Sequence, residues 1–210
     1  YIFSICSVLK NLGININTVP VLDITYKKTH QIIGSRSYSN HLNVVKKLGS
    51  LCVKNYKNNK IANVIKHIPG HGRARSDSHK TLPVIRDGYK KLKNSDFNCF
   101  KGTKAYFGMT AHIIYKNIDN KNPATHSPSI INRIIRKEIG FKGVLISDDI
   151  AMRALKHDIV TNAKKSLKAG CNLVLYCSGN YKESFKLLKE MPLMDKFTAK
   201  KTSEFYKFLS

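Results

Sequence analysis

Acidic residues are scarce in this chain. Its 210 residues include 13 Asp and Glu against 37 Lys and Arg, a formal net charge of +24. Such an excess attracts polyanions, so a basic nucleic-acid-binding module stands as the reading outside enzymes. Its distribution argues otherwise. Arginine occurs only at positions 36, 73, 75, 86, 133, 136 and 153, and lysine is scattered through every segment rather than gathered in one stripe. The surplus reads as a solvated, lysine-rich surface, and no nucleic-acid partner is expected. Long apolar runs are also absent, which excludes a helical membrane span. No signal peptide is visible, although the chain opens on Tyr1 rather than Met. There is no GxGxxG and no P-loop, the usual marks of a nucleotide site. The five cysteines (6, 52, 99, 171 and 177) form no CxxC and no even-numbered framework. That pattern points to reduced thiols, a cytoplasmic compartment and no cysteine-bound zinc.

Short apolar runs are plentiful. Five strand candidates stand out: Thr18–Leu22, Ala62–Lys66, Ala105–Thr110, Gly143–Ser147 and Asn172–Tyr176. They are near-continuous apolar stretches, as in parallel strands buried on both faces. Helix candidates fill the intervals near 39–57, 85–93, 127–138, 159–169 and 180–190, with one more over Tyr1–Leu12. Ser127-Pro128 gives the third of these a capped start. Steady alternation of strand and helix predicts an α/β fold with a parallel sheet. Polar residues recur where the strands end: Asp23, Lys66-His67, His112 and Asp148-Asp149. A TIM (β/α)8-type barrel builds its active site there, but a barrel needs eight strands and five are found.

The most loaded stretch is the loop 66–83, with three histidines, an aspartate, two prolines and two glycines. In Asp77-Ser78-His79 the carboxylate can orient the imidazole and make it a general acid/base; the bland reading is a local turn hydrogen bond. Asp148, at the end of a buried strand, is either a nucleophile or, like Asp149, a cap for a helix starting near Ile150. His67 and His71 are four apart, but Pro69 and Gly70 between them break the helix a metal pair would need. Lys66 and His67 suit sugar hydroxyls better. Arg36 lies on the same rim, or is an ordinary surface arginine.

Taken together, five elements occur in the order found in glycoside hydrolase family 3: Gly34-Ser-Arg-Ser-Tyr38, Lys66-His-Ile-Pro-Gly-His-Gly72, Asp77-Ser-His79, Met109-Thr-Ala-His112 and Gly143-Val-Leu-Ile-Ser-Asp-Asp149. The sequence most resembles that family's bacterial exo-β-N-acetylglucosaminidases of peptidoglycan recycling, from Pro20-Val-Leu-Asp23 to about Cys177. The resemblance implies a retaining β-N-acetylhexosaminidase, with Asp148 as nucleophile and His79 as acid/base oriented by Asp77. Arg36, Lys66 and His67 match sugar-binding positions, and Met109 and His112 lie at the edge of the site. It implies a muropeptide substrate containing N-acetylglucosamine, no cofactor, no metal and a monomer at full length. The family's Asp-Gln-Glu-Gly-Gly segment has no counterpart here. Residues 1–210 are therefore expected to be the C-terminal part of one barrel domain, about strands four to eight, in an N-terminally incomplete chain. The competing enzymatic readings are another family 3 β-glycosidase, a metal-dependent barrel hydrolase and an inactive truncated remnant. The connection around Asn98, Cys99 and Phe100 is short for the family.

Overall fold

The apolar runs of the sequence become one parallel sheet in the computed structural model, which describes residues 1–210. In chain order the elements are α1 (Ile2–Asn11), β1 (Ile16–Asn17), α2 (Leu42–Asn58), β2 (Ala62–Ile68), β3 (Val84–Ile85), α3 (Tyr89–Asn94), β4 (Phe107–Thr110), β5 (Ile114–Tyr115), a π-helix (Ile130–Glu138), β6 (Val144–Asp149), α4 (Ile159–Ala169), β7 (Leu173–Leu175), α5 (Tyr181–Glu190) and α6 (Lys196–Leu209). The main sheet runs β1-β2-β4-β6-β7, and every pairing in it is parallel. In register, Val64 faces Phe107, which faces Val144. The sheet does not close on itself; β1 and β7 are its edges.

The period of two along each strand sorts its residues between two cores. Ile65 and Leu145 pack outward with Val45 and Val53 of α2 and with the isoleucines of the π-helix. Ala62, Val64, Phe107, Met109 and Val144 pack on the other face, around Phe205 of α6. Two residues beyond Val64 on that inner row comes Lys66. The inner row is thus apolar along its length and charged at its C-terminal end.

Several boundaries differ from the sequence reading. The first strand lies at Ile16–Asn17 rather than Thr18–Leu22, because Pro20 has no amide hydrogen for the ladder. Val21 keeps a single bridge to Lys66, whose carbonyl also accepts from the Leu22 N–H at 2.8 Å. The helix expected at 85–93 begins at Tyr89, since Val84 and Ile85 pair with Ile114 and Tyr115 in a second small parallel sheet. Ser127 caps the next helix as expected, its hydroxyl accepting from the Ile130 N–H at 3.1 Å. From Ile130 that helix winds as a π-helix, whose i→i+5 spacing keeps Ile130, Ile131, Ile134 and Ile135 all buried. No helix starts near Ile150. Helix α4 starts at Ile159, capped by Asp158, which accepts from Val160 and Thr161 N–H, and it ends at left-handed Gly170. Helix α6 escaped the sequence reading. No helix is long and apolar enough to cross a membrane.

Candidate active site

The C-terminal ends of β2, β4 and β6 gather the charged and imidazole side chains into one buried group. At its centre is Asp23, whose side chain is fully buried. It accepts the His67 ring Nδ1–H at 2.8 Å, the His67 backbone N–H at 3.2 Å and the His71 backbone N–H at 2.6 Å. Burial pushes the Asp23 carboxyl up, but the His67 ring and the His71 N–H outweigh that and hold it below its ordinary value. Asp23 occupies Nδ1, and the Nε2 of His67 has no hydrogen-bond partner in the protein.

Asp148 stands near this cluster. One of its oxygens accepts the Asp149 N–H at 2.9 Å, and its second oxygen has no partner within the protein. Burial raises the Asp148 carboxyl, but the His67 and His112 rings and the Asp149 N–H overcome this, so its pKa lies below 3.8. Lys66 is lowered by burial first and by Arg36 second, against the opposing pull of Asp148 and Asp23. Arg36 is exposed; it donates to the Ile32 carbonyl at 2.9 Å and lies close enough to Lys66 to repel it. Arg36, Lys66, His67 and Asp148 therefore share one neighbourhood.

Asp149 does something different from its neighbour. Its carboxylate accepts from Ala151 N–H at 3.0 Å and Cys177 N–H at 3.1 Å, so it caps a turn and ties β6 to the end of β7. His112, fully buried, donates from Nε2 to the Asp149 carbonyl at 3.0 Å, while Nδ1 pairs with Thr125 Oγ1 at 2.7 Å. Burial depresses its pKa, and the neutral ring braces the strand end that carries Asp148. Met109 packs in the inner core.

Asp77 and His79 form their own pair on the loop. Asp77 Oδ1 accepts both the His79 N–H at 2.8 Å and the ring Nδ1–H at 2.9 Å. The local turn bond and the imidazole-orienting bond coexist. The His79 side chain is 58% exposed, and no hydrogen bond or ion pair joins it to Asp148. The link back to the buried group is Ser78, itself buried, whose hydroxyl meets His71 Nε2 at 3.2 Å. His71 is pushed down to about 4 by burial and by the His67 ring, so it is neutral, and its Nδ1 has no partner.

Two features set the path of the loop. At Gly72 a Cβ would lie 1.7 Å from the Ile24 carbonyl oxygen, so no side chain fits there. Arg73 then donates to the buried carboxylate of Asp96 at 2.7 Å, and Asp96 also accepts from Tyr26 and Ser95. The short connection around Asn98, Cys99 and Phe100 thus has a structural use. It delivers Asp96 to anchor the loop, with Phe97 and Phe100 buried behind it. Asp23, Ser78 and Asp96 were the partners the sequence reading did not assign. For Asp23 the signal was a carboxylate ending an apolar run; for Ser78 and Asp96 nothing local distinguishes them. No three His, Cys, Asp or Glu side chains are arranged to hold a metal ion.

Comparison with known proteins agrees with this arrangement of elements. A beta-hexosaminidase from Methylobacillus flagellatus is 34% identical over 181 residues, covering 83% of this chain and 51% of that protein. A second, from Nitrosomonas eutropha, is 33% identical over 175 residues and is covered over 50% of its length. The chain spans about half the length of the curated relatives it matches. A family 3 beta-N-acetylglucosaminidase from Paenibacillus superposes with a TM-score of 0.87 at 29% identity, over 97% of this chain and 41% of that one. NagZ from Neisseria gonorrhoeae, solved in complex with N-trifluoroacetyl-D-glucosamine, superposes with a TM-score of 0.85 at 28% identity, over 95% of this chain and 59% of that one. Residues 4–201 match the family described as the glycosyl hydrolase family 3 N terminal domain, and the chain belongs to that family.

Proposed function

We propose that this chain carries the chemical centre of a retaining β-N-acetylhexosaminidase, and that it corresponds to strands four to eight of an eight-stranded barrel domain. The observation that carries the reading is Asp148. It is a carboxylate kept anionic at the end of a buried strand, with one oxygen unpaired, beside Lys66 and the rings of His67 and His112. A nucleophile needs that state. In the first step an Asp148 oxygen bonds to the anomeric carbon as the glycosidic C–O bond breaks, and His79 gives its proton to the departing oxygen. In the second step His79 takes a proton from water, whose oxygen displaces Asp148 from the sugar. Asp77 holds the imidazole by its Nδ1–H, leaving Nε2 for the transfer. His79 lies exposed on its loop, which suits contact with a leaving group. Arg36, Lys66 and His67 hold the sugar hydroxyls, with the free Nε2 of His67 as one contact. The relatives named beta-hexosaminidase and the sugar-analogue complex of NagZ support N-acetylglucosamine as the glycone. A cytoplasmic muropeptide is the natural substrate in this reading.

Hydrolysis of an aryl β-N-acetylglucosaminide by the protein as encoded in full, alongside the matching β-glucoside, tests it. Asp148→Ala is expected to abolish release of N-acetylglucosamine. His79→Ala should lower kcat about 10²- to 10⁴-fold, the usual worth of a positioned acid/base. Full activity in either variant sinks the assignment of that residue, and preference for the β-glucoside sinks the choice of sugar.

A further inference from the structure

Residues 25–33 form neither helix nor strand, yet they are tightly held. The segment leaves the buried group at Asp23 and Ile24 and returns to the rim at Arg36. Ile33, 1% exposed, anchors it to the interior. Along the way it is sewn to the first stem of the 66–83 loop at three successive residues. Thr29 Oγ1 donates to the Gly72 carbonyl at 2.6 Å. The Arg73 guanidinium stacks on the Tyr26 ring at 4.0 Å and donates to Asp96 at 2.7 Å, and Asp96 also accepts the Tyr26 hydroxyl at 3.1 Å. The His30 N–H donates to the Ala74 carbonyl at 3.0 Å.

The far end of the segment is tied to the sugar side. The His30 carbonyl accepts the Ile33 N–H at 3.0 Å and the Gly34 N–H at 3.3 Å, and the Arg36 guanidinium donates to the Ile32 carbonyl at 2.9 Å. Hydrogen bonds therefore lead from Arg36 to Gly72 and Ala74, the stem from which Asp77 and His79 project. The tip of the loop feels the segment as well. The Asp77 carboxyl is held below its ordinary value first by the His79 N–H and, more weakly, by the His30 imidazole. Thr29 supplies the only side-chain hydrogen bond from the segment to the backbone of the stem. Its hydroxyl also accepts the Tyr26 N–H at 2.6 Å, which fixes the direction in which it donates. Gly72 is buried, so its carbonyl has no ready substitute for that donor.

We propose that residues 25–33 are a strap that sets the acid/base loop relative to the Arg36 rim, and that Thr29 is a positioning residue for His79. Loosening the strap leaves Asp148 in place and lets the His79 ring stray from the departing oxygen, so proton transfer suffers first. This rests on the glycosidase reading above, and leaving-group chemistry separates the two. A dinitrophenolate departs without a proton, whereas a methylphenolate needs one from the general acid. The protein as encoded in full is assayed on the β-N-acetylglucosaminides of both, and kcat/KM is compared because it reports the step in which the glycosidic bond breaks. Thr29→Val keeps the shape and removes the hydroxyl. Its kcat/KM should fall about tenfold on the methylphenyl substrate, the worth of one hydrogen bond, and stay near wild type on the dinitrophenyl one. Thr29→Ser should restore the ratio. Added to His79→Ala, Thr29→Val should cost nothing further, because the group it positions is gone. The ratio of the two substrates does not depend on how much of a variant is folded. An unchanged ratio in Thr29→Val, or a further loss in the His79→Ala background, overturns the proposal. If His79→Ala itself loses both substrates equally, the acid/base assignment falls, and the proposal with it.

Discussion

Asp23 shows why a single carboxylate can matter more than its lack of chemistry suggests. It touches no proposed reacting atom, yet three donors from two histidines converge on it. Replacing it by alanine would leave two buried N–H groups and a ring nitrogen without an acceptor. Each buried donor left without its acceptor costs about 1–3 kcal/mol. Asp23→Ala should therefore move the urea midpoint down strongly with an unchanged slope. A loss below about 1 kcal/mol would mean that the His67 and His71 donors find other acceptors. The sequence shows only part of this site. Asp77-Ser78-His79 is legible because its partners are two residues apart, and the bond between Asp77 and His79 is local. Asp23 and His67 are 44 residues apart, and nothing in either segment says they meet. From the residues alone Asp148 could be a nucleophile or, like Asp149, a cap; the Ala151 and Cys177 N–H groups, which Asp149 takes, separate the two carboxylates.

Among the elements, the 66–83 loop is held more firmly at its start than at its tip. Gly72 packs against Ile24, and Arg73 is pinned to Asp96, but the segment from Asp77 to His79 returns to the interior through Ser78 alone. Ser78→Ala removes that link without touching the Asp77–His79 pair. One neutral hydrogen bond is worth about 0.5–1.5 kcal/mol, so kcat on the aryl substrate should fall a few-fold to about tenfold. KM should barely move, because Lys66 and His67 are held independently, and Ser78→Thr should restore most of the rate. A fall in kcat/KM carried wholly by KM would place Ser78 in sugar binding instead. Strands and helices were legible wherever an apolar run carried its own boundaries: α4 lies at the expected 159–169 because Asp158 and Gly170 mark both ends in sequence. The first strand was misplaced because hydrophobicity does not reveal which N–H groups pair, and Pro20 takes one away. Helix α6 was missed because its burying face is sparse. Phe205 does most of the work, and its partners Phe107 and Tyr106 lie about a hundred residues earlier.

The whole molecule carries an excess of positive charge outside and a set of neutral histidines inside, and the two act together on acid stability. His71 and His126 are both pushed from 6.5 down to about 4, each by burial first and by a neighbouring imidazole second. His112 is lowered in the same direction by burial. Between pH 6.5 and about 4 the unfolded chain binds protons at these positions that the folded chain refuses. Stability is therefore complete above about 6.5 and is lost as pH falls toward 4. A fall from 6.5 to about 4 corresponds to on the order of 3 kcal/mol for one fully buried ring. Asp23 and Asp148 act lower on the scale. Both are held below 3.8, so their contribution persists through the histidine window and disappears only beneath it. The melting temperature measured from pH 7.5 to 4.5 should drop steeply, before Asp23 and Asp148 protonate. His126→Gln tests the cause. A glutamine amide can still donate to the Asn162 carbonyl that His126 Nε2 meets at 3.2 Å, yet it takes up no proton. The variant should melt nearer to wild type at pH 4.5 than at pH 7.5, flattening the acid limb. If wild type and variant lose stability in parallel across that range, the His126 ring does not contribute to the limb.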